Sequence, residues 1–313
     1  MAVGLQGEVW GATIAAQSTI APTETANLAT GVPLWTMLAG GVAAVLFVGS
    51  GWGRLGQIPV RPWRFGPGTG VLTFVLAVTV GAISGGVAAH LIGLPIDGSP
   101  TLTTLLPIML ASWGGQLVAV CCLPCVRVVI GPPVSGVDRR MPRRGVVCPD
   151  RRRGRLHAGL LGLSGLVLFW PMTLAAAGLA GMAWQGLTGE APSALAHELL
   201  RQIQNEPSTA IRLSVAASVI VFPAVAEEIL YRGLLQESFR RARLFSCGAP
   251  WQSIALASLV FTAMHIGAVD PHALVALFVL SMGFGWAYAK TGRLTASITM
   301  HMAFNAGNIV LAI

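Results

Sequence analysis

Residues 213–232 read LSVAASVIVFPAVAEEILYR, a run apolar enough to cross a bilayer until two adjacent carboxylates and an arginine interrupt it. About 20 such residues span the hydrocarbon of a membrane. A charged side chain at that depth costs roughly 2.5–3.5 kcal/mol on insertion scales, so it is usually paired and usually marks a working site. In a helix, Glu228 and Arg232 stand at i and i+4 with the acid N-terminal to the base, the favourable order, and the pair neutralises Glu228. Glu227 is turned about 100° away on the same helix. Its own i+4 neighbour is Tyr231, which can donate a hydrogen bond but carries no charge. Glu227 is the carboxylate left free to act as a general base. Taken alone, the six residues 227–232 are equally compatible with a structural ion pair at a helix end.

Composition places the rest of the chain in the same setting. Of 313 residues, 54% are hydrophobic and 10% charged, with a mean hydropathy of +0.71. An ordinary soluble domain carries about 25% charged residues and is excluded. Apolar stretches predict an all-α, polytopic membrane protein with about eight transmembrane helices, near 34–50, 70–94, 101–126, 156–184, 208–234, 251–268, 272–289 and 294–312. Residues 1–33 contain Glu8 and Glu24 but no basic residue, so they lack the positive n-region of a secretory signal and read as a poorly ordered outer tail. The stretch 185–207 reads as a polar outer loop with a short amphipathic helix.

Basic residues then orient the spans, because short cytoplasmic loops retain them. Arg54, Arg61 and Arg64 follow the first span. The loop at 127–155 carries Arg127, Arg139, Arg140, Arg143, Arg144, Arg151, Arg152, Arg153 and Arg155. Arg240, Arg241 and Arg243 follow the fifth span, and Lys290 and Arg293 the seventh. Alternating spans put all four groups in the cytoplasm and both termini outside, in what is expected to be the plasma membrane. The net charge of +8 is explained by this topology and by attraction to anionic lipid headgroups, so no nucleic-acid partner is expected.

Two further constellations lie downstream. FTAMH at 261–265 and HMAFN at 301–305 each set two residues one helical turn apart, Phe261 with His265 and His301 with Asn305. The ordered set EExxxR, FxxxH and HxxxN resembles the CPBP family of intramembrane proteases, which includes the type II CAAX prenyl endopeptidases, bacteriocin-immunity proteins and lysostaphin-resistance-like proteins. The resemblance covers about the last third of the chain, near 208–313. It divides the chain into N-terminal transmembrane helices at 34–126, a basic loop at 127–155 and a C-terminal half at 156–313 that holds the catalytic region.

The resemblance implies a reaction. Glu227, assisted by His265, activates a water that attacks a peptide carbonyl, and His301 and Asn305 stabilise the oxyanion, with Glu228 and Arg232 in support. Expected substrates are membrane-associated proteins or peptides; prenylated CAAX proteins are a family association only. No cofactor is favoured. One carboxylate and two histidines also match the ligand types of a catalytic zinc site, which would make Glu227, His265 and His301 ligands, although no HExxH pair is present. Two other readings stay open, a non-catalytic scaffold or immunity protein binding a partner at the same polar site, and a proton-coupled transporter.

Depth sets a check on this arrangement. At 1.5 Å per residue, His301 lies about 10 Å along the eighth span, whereas His265 lies about 21 Å along the sixth if Trp251 marks the inner interface. That is too deep to meet the others unless the sixth span starts well into the cytoplasm or tilts. The five cysteines form no disulfide framework; Cys122 and Cys125 make a lone CxxC without a partner pair, and Cys148 and Cys247 are expected to face the cytoplasm and stay reduced. His90, His157 and His272 have no motif around them.

Topology is testable by thiol labelling. On intact cells, an impermeant maleimide should label an introduced Ala194→Cys and spare Cys148. Labelling of Cys148 would invert every span.

Overall fold

A computed structural model describes residues 34–55, 67–94, 101–122, 151–192, 198–242 and 250–312. The expectations for the tail at 1–33, most of the arginine-rich loop, Arg61, Arg64, Arg243, Cys125, Cys148 and Cys247 lie outside the described residues. Within them the protein is all-helical. The helices are α1 (Leu34–Gly49), α2 (Pro67–Leu91), α3 (Leu102–Cys122), α4 (Arg151–Thr188), α5 (Glu198–Asn205), α6 (Thr209–Glu227), α7 (Pro250–Ala263), α8 (Ala273–Thr291) and α9 (Leu294–Ala312). α6 continues without a break through a π-helical segment, Glu228–Gln236, and a last α-helical turn, Glu237–Arg241. Short α5 is the amphipathic helix anticipated at 185–207; Leu199 and Ile203 bury its apolar face against Leu102, Leu105 and Val215.

Five helical stretches are long and apolar enough to cross a membrane, Pro67–Leu91, Leu102–Cys122, Gly154–Thr188, Thr209–Arg241 and Ala273–Thr291. The chain is a polytopic helical membrane protein. Three expected spans differ from the rest: among the described residues α1 has only 16 residues, about 24 Å at 1.5 Å per residue, and the other two are α7 and α9. α7 stops at Ala263 after 14 residues, about 21 Å at 1.5 Å per residue and short of a ~30 Å hydrocarbon core. His265 therefore lies beyond the helix and not within it, in a turn where Gly267 takes φ +88°. α9 is long enough at 19 residues, but Thr295, Ser297, Thr299, His301, Asn305 and Asn308 make it too polar to read as a span by composition. Of these, Ser297 and His301 are buried in the bundle.

Side-chain pairing fixes helix directions. Arg232 meets Ser281 and Gln236 meets Gly285, so the α6 unit runs parallel to α8. Glu228 meets His301 and the Val219 carbonyl meets Asn305, so α9 runs antiparallel to α6. Both directions agree with helices that alternate across a membrane.

Where apolar burial between helices gains little over lipid, helices associate through close backbone approach at small residues. A Cβ at Gly162 of α4 would strike the Ala296 carbonyl of α9, one at Gly307 would strike the Trp170 ring, and one at Gly283 would lie 2.6 Å from Phe169 Cγ. Those glycines bring α4, α8 and α9 together. Phe47 of α1 joins the same packing, edge-on against Phe169 and Trp286 with ring centroids 5.1 and 5.5 Å apart. The chain just after α1 is capped by the C-terminal half. The Trp52 carbonyl accepts from Trp286 Nε1 (3.1 Å) and Lys290 Nζ (3.1 Å), Gly53 from Trp251 Nε1 (3.1 Å) and Arg54 from Lys290 Nζ (2.8 Å). This end of the bundle also carries Arg293 beside Gly154, so basic residues gather at one end.

Candidate active site

The EExxxR motif straddles the junction between α6 and the π-helical segment. Widened turns of this kind occur most often at functional sites. Glu228 and Arg232 are both fully buried (0% exposed), and Arg232 Nε lies 3.2 Å from Glu228 Oε2. The contact is an ion pair without an aligned hydrogen bond, because neither atom has a hydrogen-bonded partner. Arg232 is held from its other side: Nη2 donates to both the Ser281 carbonyl and the Ser281 hydroxyl, each at 3.0 Å. Its guanidinium lies 5.1 Å from the centre of the Phe261 ring and 5.5 Å from that of Phe284. Such cation–π contacts contribute about 0.5–2 kcal/mol each and suit a cation sealed away from water.

The second oxygen of Glu228 goes to a different partner. His301 Nδ1 donates to Glu228 Oε1 across 3.1 Å. The imidazole stacks on Phe284, with centroids 4.5 Å apart and planes 16° apart, and meets Phe261 edge-on at 6.3 Å. Nδ1 must therefore carry a proton, and the neutral ring presents a lone pair at Nε2; it offers Nε2–H only as an imidazolium. Glu228 thus joins two of the three motifs.

Glu227 is different in kind. It is only partly buried, and among the described residues its carboxylate forms no hydrogen bond or ion pair, though it lies within electrostatic reach of His301, Glu228 and Arg232. Tyr231, four residues on, places its ring against Phe74 (5.2 Å) and Phe261 (4.9 Å). His265 keeps the FxxxH relation despite the end of α7: Nδ1 donates to the Phe261 carbonyl at 2.8 Å, which leaves Nε2 as an acceptor. Despite the difference in depth expected from the sequence, Phe261 links His265 to the other motifs. Its ring touches His265 (4.5 Å) and His301 (6.3 Å), so the two histidines share one aromatic neighbour. The turn that carries His265 is tethered from outside by the Arg201–Asp270 ion pair (3.5 Å) between α5 and the segment before α8. Asn305 lies one turn beyond His301, and its Nδ2 donates to the Val219 carbonyl at 3.1 Å.

The structure thus gathers Glu228, Arg232 and His301 directly, sets Glu227 beside them, and holds His265 and Asn305 at the edges of the cluster. Ser281, Phe284 and the packing role of Phe261 were not apparent from the motifs; Ser281 and Phe284 lie in an apolar run, FVLSMGFG at 278–285, that marks neither. Among the described residues no group of three or more His, Cys, Asp or Glu side chains is arranged to hold a metal ion.

Fold and site together define a polytopic membrane protein with a buried acid–base cluster on helices from its C-terminal part. Residues 209–307, about a third of the chain, match the family model described as Type II CAAX prenyl endopeptidase Rce1-like. The match covers all three motifs and agrees with the resemblance to CPBP proteases. No curated protein and no solved structure matches the chain.

Removing the charge of Glu228 strands a buried guanidinium, which costs about 3–5 kcal/mol when a buried pair is broken. Glu228→Gln should lower the thermal unfolding transition in detergent markedly, while Glu227→Gln, which breaks no pair, should leave it within a degree or two. Equal transitions for the two variants would show that the Glu228 pair does not hold the bundle.

Proposed function

We propose that the protein is an intramembrane endopeptidase that hydrolyses peptide bonds of membrane-associated proteins or peptides with water activated by Glu227. The observation that carries the reading is the contrast between neighbours: Glu228 is fully committed to Arg232 and His301, whereas Glu227 is partly exposed and has no hydrogen-bond or ion-pair partner among the described residues. A carboxylate beside a buried cation, in a segment matching a CAAX endopeptidase family, suits a general base.

In this reaction Glu227 takes one proton from a water whose other contact is His265 Nε2, and the resulting hydroxide attacks the carbonyl carbon. Charge on the tetrahedral oxygen is met by His301, acting as an imidazolium through Nε2–H while Glu228 balances its charge at Nδ1, and by the second amide hydrogen of Asn305. When the C–N bond breaks, Glu227 returns its proton to the leaving amine. Every step uses groups of the chain and water alone, so the proposal includes no metal. Substrates approach from the end of the bundle that carries Arg54, Lys290 and Arg293, the proposed cytoplasmic side, since His301 lies only about 10 Å along α9 from that end. A peptide tethered to the membrane by lipid or by a helix meets the site at this depth.

Cleavage profiling of the purified protein on a membrane-anchored peptide library tests the reading. Glu227→Gln should lose 10²-fold or more in kcat with little change in KM, the mark of a group that acts in the transition state, and the native protein should retain activity in strong chelators. Native turnover in Glu227→Gln refutes the base assignment. Loss on chelation with recovery on zinc would make Glu227, His265 and His301 metal ligands instead.

A further inference from the structure

Pro223 lies inside α6, four residues before Glu227. Proline has no N–H, and its ring presses on the carbonyl four residues back. That carbonyl belongs to Val219, so the intrahelical bond from 223 to 219 cannot form. Within a membrane no water is at hand to satisfy the freed oxygen. The Asn305 amide of α9 supplies the missing donor at 3.1 Å. Three prolines lie in helix interiors among the described residues, Pro107, Pro171 and Pro223, and among the described residues only the last has its orphaned carbonyl met by a side chain of another helix.

The placement matters because of what it brackets. The two motif residues of α9 tie down the α6 unit at two points, His301 at Glu228 and Asn305 at Val219. Glu227 lies between those points, immediately after the stretch that Pro223 weakens. We infer that Asn305 is a positioning residue: it replaces the helix hydrogen bond removed by Pro223 and so fixes the turn that presents Glu227. This deepens the hydrolytic reading, on which it rests for its effect on rate. It also explains why an asparagine suits the position, since one amide hydrogen holds Val219 while the second stays free to face substrate.

A double-mutant cycle tests it with the full-length protein. Pro223→Ala restores the N–H that Val219 lacks, so Asn305 should then matter less. Thermal unfolding in detergent is recorded for the native protein, Asn305→Ala, Pro223→Ala and the double variant. Asn305→Ala should lower the transition by several degrees in the native background and by no more than about half as much beside Pro223→Ala. In parallel, the loss of kcat caused by Asn305→Ala should be at least tenfold smaller in the Pro223→Ala background, with KM unchanged. Pro223→Ser, which also restores the N–H, serves in the same cycle if Pro223→Ala does not accumulate. Equal temperature drops in both backgrounds overturn the inference. If the native protein cleaves no peptide, the hydrolytic reading fails, while the temperature cycle still decides what Asn305 does.

Discussion

One buried carboxylate organises this bundle. Glu228 is sealed from solvent, and its two oxygens meet partners on different elements, Arg232 within its own helical unit and His301 on α9. Desolvating such a charge is expensive, and the cost is offset only when its partners are also buried and held from their far sides. Arg232 is held by Ser281 and by the faces of Phe261 and Phe284; His301 is held by stacking on Phe284. Removing any one of these groups leaves a charge or a lone pair exposed to an apolar interior. A network so constrained has one arrangement, which keeps the neighbouring Glu227 in a fixed place with its own carboxylate uncommitted.

The remaining architecture serves that arrangement. Glycines on α4, α8 and α9 let the three helices approach closely enough for short side chains to reach across. The chain after α1, pinned by Trp251, Trp286 and Lys290, ties the N-terminal part of the molecule to the end of α8. Trp286 serves both ends of this linkage, donating to the Trp52 carbonyl while its ring packs with Phe47 and Phe169. α1 and α4 thereby brace the site through packing, while its polar groups come from other helices.

Much of this was legible in the chain. Hydropathy marks the helices because lipid demands apolar faces, and the (i, i+4) rule joins Glu228 to Arg232 because that spacing survives even in the wider π-helical turn. Other features were hidden for identifiable reasons. α7 ends at Ala263 although the apolar run continues, since hydropathy does not distinguish a helix from an apolar turn such as the one holding Ile266; His265 moves from a helix to that turn. The partner of His301 depends on how α9 is set against α6, which only tertiary packing decides. The tie between Asn305 and Val219 involves a backbone carbonyl, and no spacing rule on side chains can find one. Its single trace in the sequence is Pro223, which announces a missing donor without saying what replaces it.

The central claim is that Glu228 holds the ring of His301 by its Nδ1 proton. Nitrogen-15 NMR of the protein labelled in its histidine rings, with the His301 signals assigned by their loss in His301→Gln, measures this directly. The account predicts a protonated Nδ1, with Nε2 either bare or protonated as well, across the neutral pH range. A His301 ring that carries its proton on Nε2 alone would contradict it, because Nδ1 would then have nothing to donate to Glu228.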